Sequence, residues 1–432
     1  MSALARLLRA RRWRITGSDS DPGEIGAELK AEGITVKKGH RAANLPPLCD
    51  LVVTSQAIAP RNPELIAARK RRCLIRTYPE MLGELSEGFD SVAVAGTHGK
   101  STVSAMLAAM FLRGGQDPTV LIGAKVPFLK NRNYRSGRSR RMVFEADEYG
   151  RAFHAYSPAA AVITNIEFDH PETYPDLASV RRAFLDFARR IRHDGTLVLN
   201  ANDPVSVSLR KDFSALAKRR GLTLHWVALA NSGFAKIQLR VPGRHNREDS
   251  VLAAAMAKAC GVAAKDIIAA LRVFPGIWRR LEPLGTRAGA LIFDDYAHHP
   301  TEVRAGLSAL RERYPRRKIL CVFEPHQNRR FRALFDDFKT AFREADETLI
   351  LPVYRPRGRD ISASPRRSAA ALVRHLQAEQ PPAKVFYLAD YRHLAKAVAA
   401  LGPLRNKVIV FMGAGNVSLL ARQFARAAPR KT

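Results

Sequence analysis

Three stretches of the chain repeat one pattern: short apolar runs separated by segments of helical spacing, the signature of parallel strands joined by crossover helices. In the first stretch the apolar runs are residues 13–16, 50–54 and 73–75, and residues 63–70 read as a helix between the last two. The second opens at 91–95, turns through glycine and continues as a helix over 102–113, with strands at 142–144, 161–163 and 196–199 and helices at 250–259 and 263–273. In the third, 290–293, 318–323, 347–352, 384–388 and 407–412 are strands and 300–313 is a helix. Residues 132–141 are the best candidate for an exposed loop. The pattern predicts an α/β protein of three domains, spanning residues 1–89, 90–286 and 287–432.

Composition leaves this reading intact. At 432 residues each domain can bury its own core, and with 46% apolar and 26% charged residues extensive disorder is excluded. The charge balance is the outlier, 71 basic against 40 acidic residues, a net +31. Basic residues are scattered, with only short runs such as 69–72 and 138–141, so a solvated arginine-rich surface and a field for anionic ligands both fit. Four cysteines (Cys49, Cys73, Cys260, Cys321) form no CxxC or Cys/His cluster, which argues against a disulfide scaffold or zinc site and for a reducing cytoplasm. The start is amphipathic and basic but has no signal-peptide core, and no apolar run is long enough to span a membrane.

The chemistry concentrates in the second stretch. Gly96-Thr97-His98-Gly99-Lys100-Ser101-Thr102 lies between a strand and a helix. Its backbone N–H groups and the helix N-terminus can cradle phosphates, Lys100 supplies a point charge, and Ser101 is placed to hold Mg²⁺. A standard Walker A motif needs glycine at position 94, which is Val94, so this is a shortened variant that binds ATP. Carboxylates follow two later strands, Glu145-Ala146-Asp147-Glu148 and Asn165-Ile166-Glu167-Phe168-Asp169-His170. At the C-terminal ends of parallel strands such groups face the crevice that holds the phosphates and can ligate Mg²⁺ or its waters. Ser18 and Asp19 end the first strand, where an acid often meets a ribose; an N-cap and turn fits them equally. His298 and His299 before Pro300 read, on their own, as a helix-entry turn. Gly413-Ala414-Gly415 reads as close strand-to-helix packing.

Seven motifs in order resemble the Mur ligase family over nearly the whole chain: GTHGKST at 96–102, EADE at 145–148, NIEFDH at 165–170, PGRHN at 242–246, FPGIWRR at 274–280, DDYAHHPTEV at 294–303 and EPH at 324–326. The resemblance implies a Rossmann-like domain for a UDP-sugar, a central ATPase with a mostly parallel sheet, and a C-terminal Rossmann-like domain for an amino acid. It implies phosphate contacts from Gly96, Thr97, His98, Gly99, Lys100, Ser101 and Thr102, with one Mg²⁺ on Ser101 and Glu145 and a second metal on His170. Asn246 would contact adenine, and Arg280 and Asp295 would hold ATP. Ser18, Asp19 and Ser55 would lie at the UDP-sugar, and Tyr296, His298, His326 and Arg330 at the amino acid. Lys100, Glu145, His170, Arg280 and His298 are the expected catalytic set. The implied reaction activates the carboxylate of UDP-N-acetylmuramate with ATP as an acyl phosphate, which the amine of L-alanine displaces in peptidoglycan precursor synthesis.

Lysine-dependent members of the family carry a carbamylated lysine some fifteen residues past the metal histidine. Here the next lysine after His170 is Lys211, which favours the alanine-adding branch or the tripeptide-recycling one. The pattern also breaks. The family's first strand and glycine loop should precede position 1, so either a misplaced start or a curtailed first domain is expected. Gln327 stands where the family usually has an arginine after the PH histidine, leaving Arg329, Arg330 or Arg332 to compensate. Asp249 replaces an asparagine at a helix start, where Asp also caps well. A noncatalytic ATP-binding remnant and a nucleic-acid-stimulated NTPase are the readings from other classes.

Overall fold

The computed structural model describes residues 1–356, 360, 363–379 and 384–426. The chain is α/β throughout and its contacts divide it into two compact units. The first comprises Met1–Ile166, Ala178–Phe234 and Ser250–Leu271; the second comprises Glu167–Leu177, Ala235–Asp249 and Arg272–Thr432.

A seven-stranded sheet organises the first unit, in the order Thr223–Val227, Thr196–Asn200, Ala160–Ile163, Asp90–Ala95, Arg141–Glu145, Thr119–Val126, Arg132–Arg135. All neighbours are parallel except the last pair. Asp90–Ala95 is the middle strand, and from Ser91 to Ala95 it is buried, as a continuous apolar run covered on both faces should be. The helix that follows, Lys100–Arg113, begins two residues earlier than the periodicity predicts because Lys100 and Ser101 already form its first turn. The exposed loop expected over 132–141 is corrected in part: Arg132–Arg135 is an antiparallel edge strand. Its Arg-Asn-Tyr-Arg sequence is what an edge tolerates, polar and charged, so it carries no apolar signal.

The N-terminal residues of this unit form two separate two-stranded parallel sheets, Thr16–Asp19 with Thr35–Lys38 and Leu51–Thr54 with Leu74–Thr77. The strand expected at 13–16 is thus displaced to Thr16–Asp19, which is largely exposed and has no inward apolar face to read. The basic start is the helix Ser2–Ala10, which buries Leu4, Leu7 and Leu8. Its Arg6 is also buried, 3.0 Å from Glu28 and 2.9 Å from Glu32. Cys49 and Cys73, far apart in sequence, come within side-chain hydrogen-bonding reach just ahead of the paired strands, and both are free thiols.

The second unit is built on a six-stranded sheet, in the order Glu282–Arg287, Ala290–Asp295, Lys407–Met412, Lys318–Phe323, Glu347–Ile350, Lys384–Tyr387. Only the first pair is antiparallel. Within Lys318–Phe323, Ile319, Cys321 and Phe323 join the core on one face with Phe331 and Phe338. Leu320 and Val322 join the core on the other with Phe411 and Phe424. Gly413 and Gly415 are positions of close approach, chiefly to Glu324 and Tyr354 rather than to the helix expected there. A Cβ at Gly413 would stand 2.7 Å from the Glu324 carbonyl, and one at Gly415 would stand 2.4 Å from both the Glu324 carboxylate and the Tyr354 ring. No described helix is long and apolar enough to cross a membrane.

Candidate active site

The loop 96–99 leaves the C-terminal end of Asp90–Ala95. Gly96 has φ +136, and a Cβ there would fall 1.9 Å from Thr164 Oγ1, so a side chain is excluded twice over. Gly99, at φ +81, caps the helix. The loop is tied to the end of the neighbouring strand: Thr97 N–H donates to the Asn165 carbonyl at 3.1 Å, His98 N–H to Asn165 Oδ1 at 2.9 Å, and the Thr164 hydroxyl to the His98 carbonyl.

Lys100 folds back on this loop. Its Nζ donates to the carbonyls of Gly96 (2.6 Å) and Thr97 (3.2 Å) and to Glu148 Oε2 (2.8 Å). Burial alone would lower the ammonium's pKa, but Glu148, Asp147 and Glu145 outweigh it and hold the group protonated, above its usual range. Glu145 is also pushed upward, here by burial itself, against hydrogen bonds from Gly123 N–H and Ser101. Ser101 and Glu145 are therefore in contact, a hydroxyl and a carboxylate of the hard-oxygen kind that suits Mg²⁺. Tyr78 is a residue the sequence reading missed. It follows Thr77, the N-cap of the helix Tyr78–Glu87, and burial together with Glu145 and Asp147 raises its phenol pKa.

At the N-terminal strands, Ser18 Oγ donates to Glu64 Oε2 at 2.7 Å and lies 3.1 Å from His40 Nδ1. Glu64 Oε1 also accepts from Asn44 Nδ2 (2.8 Å) and Arg41 N–H (3.2 Å). This polar knot of His40, Asn44 and Glu64 was not foreseen; its sequence signal is the Gly39-His40 turn after a strand. Asp19 accepts from Asp21 N–H at 2.9 Å, and the Ser55 hydroxyl from Ala57 N–H at 3.2 Å. Both are local turns, as the alternative reading of Asp19 allowed.

In the second unit, Asp295 ends the strand Ala290–Asp295 and accepts from Ala297 N–H at 3.0 Å. Burial raises its pKa to about 7 against the opposing pull of Arg280. Arg280 donates to Glu302 at 3.1 Å and lies 5.5 Å from the Tyr296 ring centre. Asn246, in the first turn of the helix Arg244–Ala259, is buried and donates to the Pro242 carbonyl at 2.6 Å. His245 beside it is lowered to about 4 by burial and then by Arg280, which makes it a neutral neighbour of that arginine that sequence did not single out.

The two histidines after Ala297 separate in role. His299 caps the helix Pro300–Arg313, accepting from Thr301 N–H at 3.2 Å, and so fits the helix-entry reading. His298 packs edge-on against Tyr296 (5.3 Å) and His326 (5.8 Å). Burial lowers His298 to about 3 and His326 to about 4, so both rings are neutral. Arg330, buried on the short helix Asn328–Ala333, reaches His326 Nδ1 at 3.3 Å and His170 Nδ1 at 3.2 Å. His170 lies in the segment Glu167–Leu177, which groups with this unit, whereas Ser101 and Glu145 belong to the other. Gln327 has φ +60 and ψ 122, a conformation that favours glycine. Arg329 and Arg332, the other candidates to replace its missing charge, are exposed, and with Pro171, Ala333 and Arg367 they line a shallow cleft of about 460 Å³.

Known proteins match this arrangement from end to end. Residues 1–90 match the family described as Mur ligase family, catalytic domain; 94–257 match the Mur ligase middle domain; and 279–415 match Mur ligase, glutamate ligase domain. The chain is 35% identical to the UDP-N-acetylmuramate--L-alanine ligase of Gloeobacter violaceus, over 99% of this chain and 94% of that protein. It is 37% identical to the protein of that name from Frankia casuarinae, over 83% and 82% of the two chains. The crystal structure of the UDP-N-acetylmuramate-alanine ligase MurC from Thermotoga maritima superposes with a TM-score of 0.79 at 26% identity, covering 98% of this chain and 95% of that one. A murein peptide ligase from Psychrobacter arcticus gives 0.71 at 25% identity, covering 98% and 96%. With its three consecutive family domains, its α/β architecture and these near full-length relatives, the chain belongs to the Mur ligase family.

Proposed function

We propose that this protein is the ATP-dependent ligase that joins L-alanine to the carboxylate of UDP-N-acetylmuramate in peptidoglycan precursor synthesis. The observation that carries the reading is the 35% identity over 99% of the chain to a ligase of that name. Residues 1–89 are assigned to the UDP-sugar, 90–286 to ATP and 287–432 to the amino acid. A reaction fed by ATP and a nucleotide sugar belongs in the cytoplasm.

A carboxylate is a poor electrophile until its oxygen is phosphorylated; the amine then attacks the acyl phosphate and phosphate leaves. The loop 96–102 binds the ATP phosphates through backbone N–H groups, and Lys100 exchanges its bonds to Gly96, Thr97 and Glu148 for phosphate oxygens. Its raised pKa keeps the positive charge available where negative charge develops. Ser101 and Glu145 would hold Mg²⁺, whose contribution when bound is neutralisation of the phosphate charge; His170 is proposed for the second metal. Asn246, Arg280 and Asp295 position the nucleotide. Ser18, Asp19 and Ser55 serve the UDP-sugar, joined by His40 and Glu64, which share Ser18's hydrogen-bond network. Tyr296, His298, His326 and Arg330 receive the amino acid; the two imidazoles are neutral, so Arg330 brings the charge for its carboxylate.

The test is phosphate release by the purified chain with ATP, Mg²⁺ and UDP-N-acetylmuramate across a panel of amino acids and the tripeptide L-alanyl-γ-D-glutamyl-meso-diaminopimelate. L-Alanine should give the highest kcat/KM, and a panel without any acceptor-dependent release overturns the reading.

A further inference from the structure

Arg330 is not a free cation awaiting a carboxylate. Its Nε donates to Asp169 Oδ1 at 2.7 Å and its Nη2 reaches Asp169 Oδ2 at 3.3 Å, a two-point pairing between side chains only 5% and 7% exposed. A guanidinium gripped along its Nε–Nη2 edge has a fixed plane. The remaining nitrogen, Nη1, is outside this pairing and lies 3.3 Å from His326 Nδ1, while Nη2 also lies 3.2 Å from His170 Nδ1.

The Asp169 carboxylate is itself held. Its Oδ1 also accepts the His170 N–H at 2.7 Å, closing a turn in which His170 takes φ +54. The segment around it is pinned to the same unit by Thr301 Oγ1, which donates to Glu167 Oε1 at 2.7 Å, and by His299 Nε2, 3.2 Å from the Phe168 carbonyl. The Arg330 guanidinium beside Asp169 holds its carboxyl below the usual range despite burial.

We propose that Asp169 is a positioning residue for the acceptor amino acid. It fixes Arg330 so that the Nη1 edge, next to His326, meets the acceptor carboxylate, and so supplies by orientation what the neutral Gln327 cannot supply by charge. The inference rests on the reading that Arg330 and His326 bind the acceptor.

The experiment measures KM for L-alanine, ATP and UDP-N-acetylmuramate separately in the wild type, Asp169→Asn, Arg330→Gln and the double variant, with a thermal melt of each. Asp169→Asn should raise KM for L-alanine at least about tenfold, the size of a coupled buried pair, and leave KM for ATP within about twofold. Because Asp169 acts through Arg330, adding Asp169→Asn to Arg330→Gln should change KM for L-alanine little. That comparison also removes both buried charges together, so it remains informative if Asp169→Asn alone is too unstable to assay. Equal rises in KM for ATP and L-alanine, multiplying effects in the double variant, or an unchanged KM for L-alanine would each overturn the proposal. Absence of L-alanine-dependent phosphate release in the wild type would instead strike the functional reading itself.

Discussion

Replacing Gly96 by alanine should damage the phosphate loop by a calculable amount. The added methyl would sit 1.9 Å from Thr164 Oγ1, 3.0 Å from Thr164 N and 3.1 Å from Thr164 Cβ. Thr164 can relieve the first contact only by rotating its hydroxyl away from the His98 and Ala95 carbonyls, which costs roughly 1 kcal/mol per hydrogen bond. The backbone contact stays, and φ +136 on a residue with a Cβ adds about 1–3 kcal/mol of strain. Together these come to about 3–5 kcal/mol, a fall in melting temperature of roughly 6–20 °C for a unit of this size. Differential scanning calorimetry with and without ATP would measure it, and the stabilisation that ATP confers should shrink along with the melting temperature. Thr164→Ala in the same chain removes the 1.9 Å contact and should recover part of the loss, not all of it, because Thr164 N remains. A Gly96→Ala protein that melts within about 2 °C of the wild type would refute the steric argument.

Lys100→Met should abolish acceptor-dependent phosphate release by a factor of about 10² or more. It should also lower stability near neutral pH by roughly 3–5 kcal/mol, because Glu148, Glu145 and Asp147 lose their counter-charge; a variant that binds and turns over ATP normally would contradict the assigned role. Asp295 predicts a pH effect. Its folded pKa, about 7, lies above the unfolded value, so the native state holds the extra proton and stability must fall as pH rises from about 4 through 7. Relative to Asp295→Asn, wild-type stability should drop by up to ~4 kcal/mol across that window, and denaturant melts in which the difference rises with pH would show the sign to be wrong. Gln327→Gly should raise stability by about 1 kcal/mol by relieving φ +60, read as an upward shift in melting temperature; destabilisation would mean that the Gln327 side chain does more than tolerate its backbone.

What could be read from sequence was whatever depends on neighbours along the chain. The helices Pro63–Lys70 and Pro300–Arg313 and the strands Lys318–Phe323 and Lys407–Met412 fall where their patterns put them, because capping, proline at the first turn and continuous apolar runs are local signals. Thr119–Val126 and Glu282–Arg287 were missed: each has its antiparallel partner and a register shift, and Gly123 or Gly285 interrupts the run. Arg132–Arg135 was hidden by its polarity. In the candidate site the motif residues were legible and their partners were not. Nothing in the string EADE says that Glu148 rather than Glu145 receives the Lys100 ammonium, and Asp169 and Arg330, 161 positions apart, meet only through the fold. His40, Glu64 and Tyr78 escaped for the same reason.

The two small N-terminal sheets have a consequence for how the molecule opens. Each has four-residue strands and a single set of cross-strand bonds, and strands such as Thr16–Asp19 bury almost nothing, so little apolar contact opposes their separation. The seven-stranded sheet, with Asp90–Ala95 buried between two parallel neighbours, has the opposite character. On transfer to heavy water, amides of Thr16–Asp19 and Thr35–Lys38 should therefore take up deuterium long before those of Asp90–Ala95. A protease added under native conditions should nick this region first, leaving the seven-stranded sheet as the surviving fragment.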